Sequence, residues 1–337
     1  GIFVGAAPIL SPVVVFVCIF VSTMIGLVFG VYPAKKAAAK TSVEKEAAAK
    51  AEVKITAPIV SAKLDTKLPS NLINIVLAES IGTFILTLVA LFSASVLAPL
   101  YVGLTLMVIV MTIGAISGAH VNPAVTFGLW TMRKLKTVLL PFYWGAQFLG
   151  AMAAVVLIGS LTNGGFSVHF DQFTNFSWGI FTVELIGMTT FMFGIAAAIS
   201  RKDLKVAGKA VGVGISLSVG LFIAGALMSY VQNIAYSKHA EAQQNATAEA
   251  QTNTNNPYKQ YPREVHISGA TLNPAVALAV TEKTDTQLQS SSPLPAENEK
   301  AHAYTRLSLE VIAATLIGAA LGGNLFLLVN YRNKEEE

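Results

Sequence analysis

The 337-residue chain is 53% hydrophobic and only 12% charged, whereas soluble domains carry about 25% charged residues. Its net charge of +4 is small, and no basic stripe with interleaved aromatic residues supports nucleic-acid binding. The single cysteine, Cys18, excludes an intrachain disulfide framework and a CxxC metal site. Between Lys67 and Arg133 the only acidic, basic or histidine side chains are Glu79 and His120. A bilayer accommodates such a stretch, and the composition therefore predicts an all-α membrane protein.

Several apolar segments are long enough to span a bilayer, which needs about 20 residues per helix. The predicted spans are 13–32, 72–94, 99–117, 138–161, 178–199, 209–231 and 311–331. Two further apolar segments, 122–131 and 273–280, are too short to span, and each begins at an Asn-Pro pair. The chain therefore has seven predicted spans and two shorter helical segments.

The first span is separated from the others by a basic segment. Residues 1–34 predict an extra N-terminal transmembrane helix, and residues 35–71 predict a basic cytoplasmic helical linker. Residues 13–32, with the Pro33-Ala34-Lys35-Lys36 that follows, resemble the last helix of macrolide-exporter-type ABC permeases. That resemblance implies a permease fragment as one alternative, but nothing after residue 40 supports it. Whether the helix is native or acquired by fusion stays open.

Lysine and arginine in short loops predict the orientation. They are concentrated in 33–71, 133–136, 200–209 and the tail 332–337, and they are missing from 162–177. This pattern predicts an external N-terminus and a cytoplasmic C-terminus. Together with the lack of cysteine pairs, it favours a bacterial inner (plasma) membrane.

Two long polar segments interrupt the second part of the chain. They cover 237–265 and 282–303 and are rich in Gln, Asn, Thr, Ser and Pro. Their composition predicts external loops that are disordered or loosely ordered.

An internal repeat organises the remaining sequence. Residues 117–125 and 268–276 are identical at seven of nine positions, and both contain Asn-Pro-Ala-Val. Each copy follows a helix that carries a glutamate, Glu79 or Glu184. The chain thus divides into halves of about 72–161 and 178–331. An odd number of spans in each half inverts one half relative to the other in the membrane.

The Asn-Pro-Ala motif has a direct physical meaning. Asparagine is a favoured N-cap residue, and proline suits the first helical turn, where no amide donor is needed. Inversion would bring the two helix starts together near the bilayer midplane, where the small alanines allow close contact. Asparagine amides could then donate to a passing oxygen, while two positive helix ends disfavour a cation. The predicted pore residues are Asn122, Pro123, Ala124, Asn273, Pro274 and Ala275.

Residues 72–331 resemble the aquaporin and aquaglyceroporin family, most specifically in Ser117-Gly118-Ala119-His120-Val121-Asn122-Pro123-Ala124-Val125-Thr126. The resemblance implies six spanning helices with two re-entrant half-helices, and a homotetramer with one pore per subunit. It implies a passive channel for water, glycerol or other small uncharged solutes, with membrane lipid as its surroundings. No cofactor, metal site or enzymatic activity is expected.

The resemblance also locates a selectivity filter, and here the sequence departs from the family. The four positions fall on Val102, Leu221 (or its neighbour Gly220), Ala270 and Val276. The family usually has an aromatic residue at the first position and nearly always an arginine at the last. An apolar, wider constriction is expected, so altered selectivity or an ion leak is an alternative function. Arg263 or His266 could substitute for the arginine, but exposed loop positions are favoured for both.

Three further residues are predicted to support the loops. Glu79 and Glu184 lie within spanning helices, where an ionisable residue suggests a function. The resemblance implies that their carboxylates accept hydrogen bonds from the loop backbone, a role favoured over proton relay. His120 is expected to brace its loop and not to sense pH.

An alternative function from a different class is a membrane scaffold with a closed pore, which binds a partner through the polar loops.

Overall fold

The structure is a computed structural model. It describes the following residues: 67–92, 97–161, 168–170, 172–245, 261–284, 288 and 304–330. The predicted N-terminal helix 1–34, the linker 35–71 up to residue 66 and the tail 332–337 lie outside this part of the chain. All the helices described below belong to the unit Pro69–Glu337.

Eight α-helices occupy most of the described chain. They are α1 (Leu72–Phe92), α2 (Ala98–Ser117), α3 (Pro123–Thr131), α4 (Leu140–Leu161), α5 (Trp178–Ser200), α6 (Val206–Asn245), α7 (Pro274–Ala279) and α8 (Leu309–Val329). Six of them, all except the short α3 and α7, are long and apolar enough to cross a membrane. Among the described residues β-structure is limited to two isolated bridges, His169–Tyr304 and Thr281–Thr305. The six predicted spans after residue 71 and both short helices are therefore confirmed.

Helix α6 is much longer than its predicted span of 209–231. It runs for 40 residues, from Val206 to Asn245. No glycine or proline interrupts the sequence after Gly225, and the polar part is rich in the helix formers Ala, Gln, Lys and Glu. The prediction of a loosely ordered loop is therefore wrong for 237–245.

The described ends of the two polar segments are also ordered. Residues Arg263–His266 form a 3₁₀ helix, in which His266 is buried. Glu282 and Thr284 are 4% and 1% exposed, and the Glu282 N–H donates to the Tyr304 carbonyl at 2.8 Å. The loose order predicted for 282–303 is thus wrong at 282–284, because these residues are fixed by buried polar contacts.

Helix α1 buries a row of polar residues and exposes a row of apolar residues. On α1, Glu79, Thr83 and Thr87 are each 0% exposed, and the exposed Ile73, Leu77, Ile81 and Ile85 follow one another at four-residue spacing. Residues four apart share one helix face. This arrangement is the reverse of a soluble helix, and it suits a protein whose outer surface contacts lipid.

The two halves pack in the same way internally and also exchange their short helices. Helix α1 packs against α2 and α4, and α5 packs correspondingly against α6 and α8. The short helix α3 of the first half packs against α8 of the second, and α7 packs against α1 and α4 of the first. Each half thereby holds the short helix of the other, which places the starts of α3 and α7 side by side.

Candidate functional site

The site is built around the N-termini of α3 and α7, where each asparagine caps its own helix. The Asn122 Oδ1 accepts the N–H groups of Ala124 and Val125 at 2.8 and 3.4 Å. The Asn273 Oδ1 accepts those of Ala275 and Val276 at 3.0 and 3.4 Å. Proline follows each asparagine at the first helical position. The local structure that the Asn-Pro-Ala pattern predicts is therefore present in both copies.

The two asparagines also hold the opposite loops together. The Asn122 Nδ2 donates to the Leu272 carbonyl at 2.8 Å, and the Asn273 Nδ2 donates to the Val121 carbonyl at 2.9 Å. Both asparagines are 3% exposed, and Ala124 and Ala275 are fully buried. The structure thus brings the six residues of the two motifs to one place.

The residue before each asparagine has a left-handed backbone. Val121 has φ of 43° and Leu272 has φ of 51°, a region that β-branched and bulky residues rarely adopt. This conformation directs each carbonyl to the facing asparagine and each N–H to a glutamate. The Val121 N–H donates to Glu79 Oε2 at 2.7 Å, and the Leu272 N–H donates to Glu184 Oε2 at 2.8 Å. Unusual backbone geometry is therefore held by matched contacts in both loops.

Glu79 is fully buried, and its hydrogen-bond donors in the described part of the chain are all uncharged. Besides Val121, these donors are the Ser117 hydroxyl at 2.7 Å, the His120 N–H at 2.9 Å and the Gln147 Nε2 at 2.8 Å. The His120 ring stacks on Tyr143 with centroids 4.5 Å apart. The loop of the first half is thereby tied to α1, α2 and α4.

Glu184 is also fully buried, but one of its partners is a cation. Its Oε1 accepts the Thr271 N–H at 2.9 Å and lies 3.2 Å from the Arg306 Nη2. The Arg306 Nη1 donates to the Gly269 carbonyl at 2.8 Å, and the residue is only 2% exposed. Burial lowers the pKa of Arg306, and the Glu184 charge opposes that shift. Sequence reasoning missed Arg306, because one arginine ahead of a helix carries no motif.

The four predicted filter positions differ in burial. Leu221 (9% exposed) belongs to the main buried apolar cluster, and Val102 and Ala270 pack against this cluster with part of their surface exposed. Val276 is 5% exposed. The neighbouring Gly220 faces α5, because a Cβ there would lie 2.8 Å from the Gly187 carbonyl. Leu221 and Gly220 therefore occupy different surfaces of α6, and the assignment of all four filter residues stays a prediction.

Arg263 and His266 are not the exposed loop residues that the sequence favoured. The Arg263 Nε donates to Glu282 Oε1 at 2.8 Å, and its Nη1 pairs with Glu310. Burial opposes the positive charge, but the Glu282 and Glu310 carboxylates hold the pKa of Arg263 above its ordinary value. His266 Nδ1 lies 2.9 Å from the Lys283 carbonyl. The prediction that both residues are exposed was wrong, because both side chains contact carboxylates or carbonyls of residues distant in the sequence and are buried by these contacts.

Arg263 and His266 also line a cavity of about 280 Å³, together with Tyr261, Glu282 and Tyr304. The cavity's wall combines cationic, anionic and aromatic side chains. In the described chain no cluster of His, Cys, Asp or Glu side chains is suited to hold a metal ion. The acidic groups near the loops serve as hydrogen-bond acceptors and ion-pair partners.

Six apolar helices, two short helices that meet at their N-termini and buried polar contacts around their loops define an integral membrane protein built on an inverted repeat. Residues 15–239 match the family described as Major intrinsic protein. This range covers about two thirds of the chain, and it ends ahead of the second Asn-Pro-Ala segment. The chain belongs to the major intrinsic protein family.

Individual relatives match a shorter part of the chain. Aquaporin NIP2-2 of Zea mays is 29% identical over 163 residues, which cover 44% of this chain and 55% of the relative. Aquaporin NIP1-1 of Oryza sativa subsp. japonica is 38% identical over 139 residues, 40% of this chain and 48% of the relative. The chain therefore spans about half the length of these curated relatives. Both come from plants, so the bacterial membrane stays a prediction.

The chain also aligns with solved structures. One of them is described as the aquaglyceroporin from Plasmodium falciparum, and it aligns with a TM-score of 0.44 and 18% identity. The alignment covers 76% of this chain and 94% of that one.

Proposed function

We propose that residues 72–331 form a passive transmembrane channel for water, glycerol or other small uncharged solutes. The reciprocal hydrogen bonds from Asn122 to the Leu272 carbonyl and from Asn273 to the Val121 carbonyl carry this proposal, because they join two helix N-termini from opposite halves of the chain. Membership of the major intrinsic protein family supports it. We include in the proposal a homotetramer with one pore per subunit and a cytoplasmic C-terminus.

The asparagine amides give the proposed channel its preference for solute oxygens. A primary amide has two N–H donors, and each asparagine uses one of them on the facing carbonyl. The second N–H is left for a water or hydroxyl oxygen. The two helix N-termini contribute positive partial charge at the same place. A cation therefore meets no ligand there and is repelled.

The proposed filter favours less polar or larger solutes than water. No side-chain hydrogen-bond donor is present at the four filter positions, which are Val102, Leu221, Ala270 and Val276. A solute must therefore lose its hydrating water there without replacement hydrogen bonds from these side chains. Hydrophobic constrictions also gate by dewetting. The absence of charge at Val276 makes an ion leak the second candidate property of the same channel.

The proposal is tested by an osmotic step on proteoliposomes, with shrinkage followed by light scattering. The test variant is Asn122→Asp with Asn273→Asp. Aspartate keeps the cap oxygen that accepts the helix N–H groups, but it removes the amide donor and adds negative charge. Asn330→Asp, at the end of α8, is the matched control because it makes the same change outside the site.

We expect fast water or glycerol flux from the unmodified protein and from Asn330→Asp, and loss of that flux in the double variant. Flux from folded, inserted unmodified protein that does not exceed that of empty liposomes would overturn the water and glycerol proposal. Potassium flux measured in parallel decides whether the Val276 filter leaks ions.

A further inference from the structure

The two loops that meet at the site are anchored by different chemistry. In the first half a glutamine amide, Gln147 on α4, donates to Glu79. In the second half a guanidinium, Arg306, contacts Glu184 from the segment that precedes α8. The backbone contacts of the two glutamates correspond, since each accepts the N–H groups of two consecutive loop residues.

The helix register explains why the second half needs another donor. A Cβ at Gly150 on α4 would lie 2.2 Å from the carbonyl of Ser80, the residue after Glu79. A Cβ at Gly318 on α8 would lie 2.8 Å from the carbonyl of Leu185, the residue after Glu184. The two glycines are therefore equivalent, and the residue three positions before each one is Gln147 in α4 and Thr315 in α8.

Thr315 is too short to act as Gln147 does. Its hydroxyl donates to the Val311 carbonyl of its own helix at 2.7 Å, and so it does not reach Glu184. The place of the missing amide is taken by Arg306, which lies in the segment before α8 and not on the helix itself. The substitution adds a positive charge and a second contact, the one to the Gly269 carbonyl.

We propose that Arg306 is a positioning residue that fixes the second loop, residues 267–273, and thereby sets the solute selectivity of the channel. Its guanidinium joins the helix glutamate to the backbone of Gly269, which immediately precedes the predicted filter residue Ala270. This inference rests on the proposed channel function. The proposal explains how selectivity can be set although Val276 supplies no charge, because Arg306 acts by holding the loop and does not itself line the filter.

The planar guanidinium suits this position better than another cation would. Its separate N–H groups reach two acceptors at once, the Glu184 carboxylate and the Gly269 carbonyl. A lysine is a point charge on a flexible stem and can satisfy the carboxylate without fixing the carbonyl. Arg306→Lys therefore separates the charge from the positioning.

The experiment compares Arg306→Gln, Arg306→Lys and the unmodified protein in lipid bilayers. Arg201→Gln is the matched control, because Arg201 forms an exposed ion pair with Asp203 outside the site. Two properties are measured: the ratio of permeabilities for a five-carbon polyol and glycerol, and hydrogen exchange in peptides that cover 267–273 and 118–122. The second peptide serves as a reference within the same molecule.

We expect Arg306→Gln to raise the polyol-to-glycerol ratio and to speed exchange in 267–273 by at least about tenfold, the lower end of the range for one lost hydrogen bond to a charged group. Exchange in 118–122 stays unchanged, Arg306→Lys is intermediate, and Arg201→Gln matches the unmodified protein. If Arg306→Gln does not insert, Glu184→Gln with Arg306→Gln replaces it, since that pair leaves no buried charge unpaired.

An inserted variant with unchanged ratio and unchanged exchange in 267–273 would overturn the inference. Equal acceleration in both loops would also overturn it, because that result indicates general destabilisation. If the unmodified protein conducts no solute while exchange still responds only in 267–273, the proposed channel fails but the anchoring by Arg306 stands. The two failures are thus distinguishable.

Discussion

The first and second halves of this protein present nearly the same nine residues to the site, but they hold them with different electrostatics. Among the described residues around Glu79 the hydrogen-bond donors are all uncharged, whereas Glu184 is paired with the buried Arg306. The first loop is therefore held by a carboxylate in a neutral polar shell, and the second by an ion pair. Symmetry of backbone and sequence does not impose symmetry of charge.

This difference shows how a repeat can diverge without losing its geometry. Both loops need a buried acceptor for two consecutive N–H groups, and both helices supply a glutamate. The additional side-chain donor to that glutamate can differ between the halves, because a glutamine in α4 and an arginine ahead of α8 both reach a carboxylate oxygen. A buried ion pair is sensitive to loss of one partner, and the consequences of mutation should accordingly differ between the halves.

The largest difference is expected when each glutamate is neutralised. Glu184→Gln leaves the Arg306 charge buried and unpaired, which should lower the free energy of unfolding by about 3–5 kcal/mol. Glu79→Gln weakens hydrogen bonds to a charged acceptor and should cost about 1.5–3 kcal/mol. Titration of the solubilised protein with SDS, followed by circular dichroism, measures both values. An equal or larger loss in Glu79→Gln would show that the ion pair does not distinguish the halves.

The next comparison concerns the equivalent positions 147 and 315. Gln147→Leu removes a donor from Glu79 and from the Thr126 hydroxyl, and it should lower the free energy of unfolding by about 2 kcal/mol. Thr315→Val removes a hydroxyl that bonds only within α8 and should cost less than about 1 kcal/mol. The same SDS titration compares the two variants. If Thr315→Val proves as costly as Gln147→Leu, then Thr315 supports the second loop and the role given to Arg306 is too large.

The smallest difference is expected at the glycines that open the loops. Gly118 and Gly269 have φ of 89° and 94°, and an alanine in such a left-handed conformation costs about 1–2 kcal/mol. A Cβ at Gly118 would also lie 3.1 Å from the His120 Nε2, whereas one at Gly269 meets no described atom within 4 Å. Gly118→Ala should therefore destabilise more than Gly269→Ala, by about 1 kcal/mol.

Thermal unfolding of the two alanine variants side by side checks this order. The reverse order would mean that the second loop is less tolerant of backbone change than the first. That result would place the stricter constraint on the loop held by Arg306.

Most of the architecture could be predicted from the sequence because its signals are local. Hydropathy located the six described spans, and the Asn-Pro pairs located the starts of α3 and α7. Where an apolar stretch turned polar, however, the predicted span ended too early: α6 continues to Asn245. Helix propensity continues across such a boundary, and hydropathy alone does not report it.

The candidate site divides in the same way. The Asn-Pro-Ala pattern identified Asn122 and Asn273, because helix capping depends on only a few adjacent residues. Arg306 and the burial of Arg263 were not predicted, because the partners lie far away in the sequence: Glu184 for the first, and Glu282 and Glu310 for the second. No local signal distinguishes an arginine that will be buried with a carboxylate from one that will face water.

The sequence by itself determined the membrane-spanning class, the inverted repeat and the capping of the two short helices. These features follow from composition, periodicity and residue type over stretches of a few to about 20 residues. Only the tertiary structure decided which carboxylates paired with the buried arginines and which loop carbonyl each asparagine contacts. Such pairings depend on distances between segments of distant sequence, and those distances are fixed by helix packing.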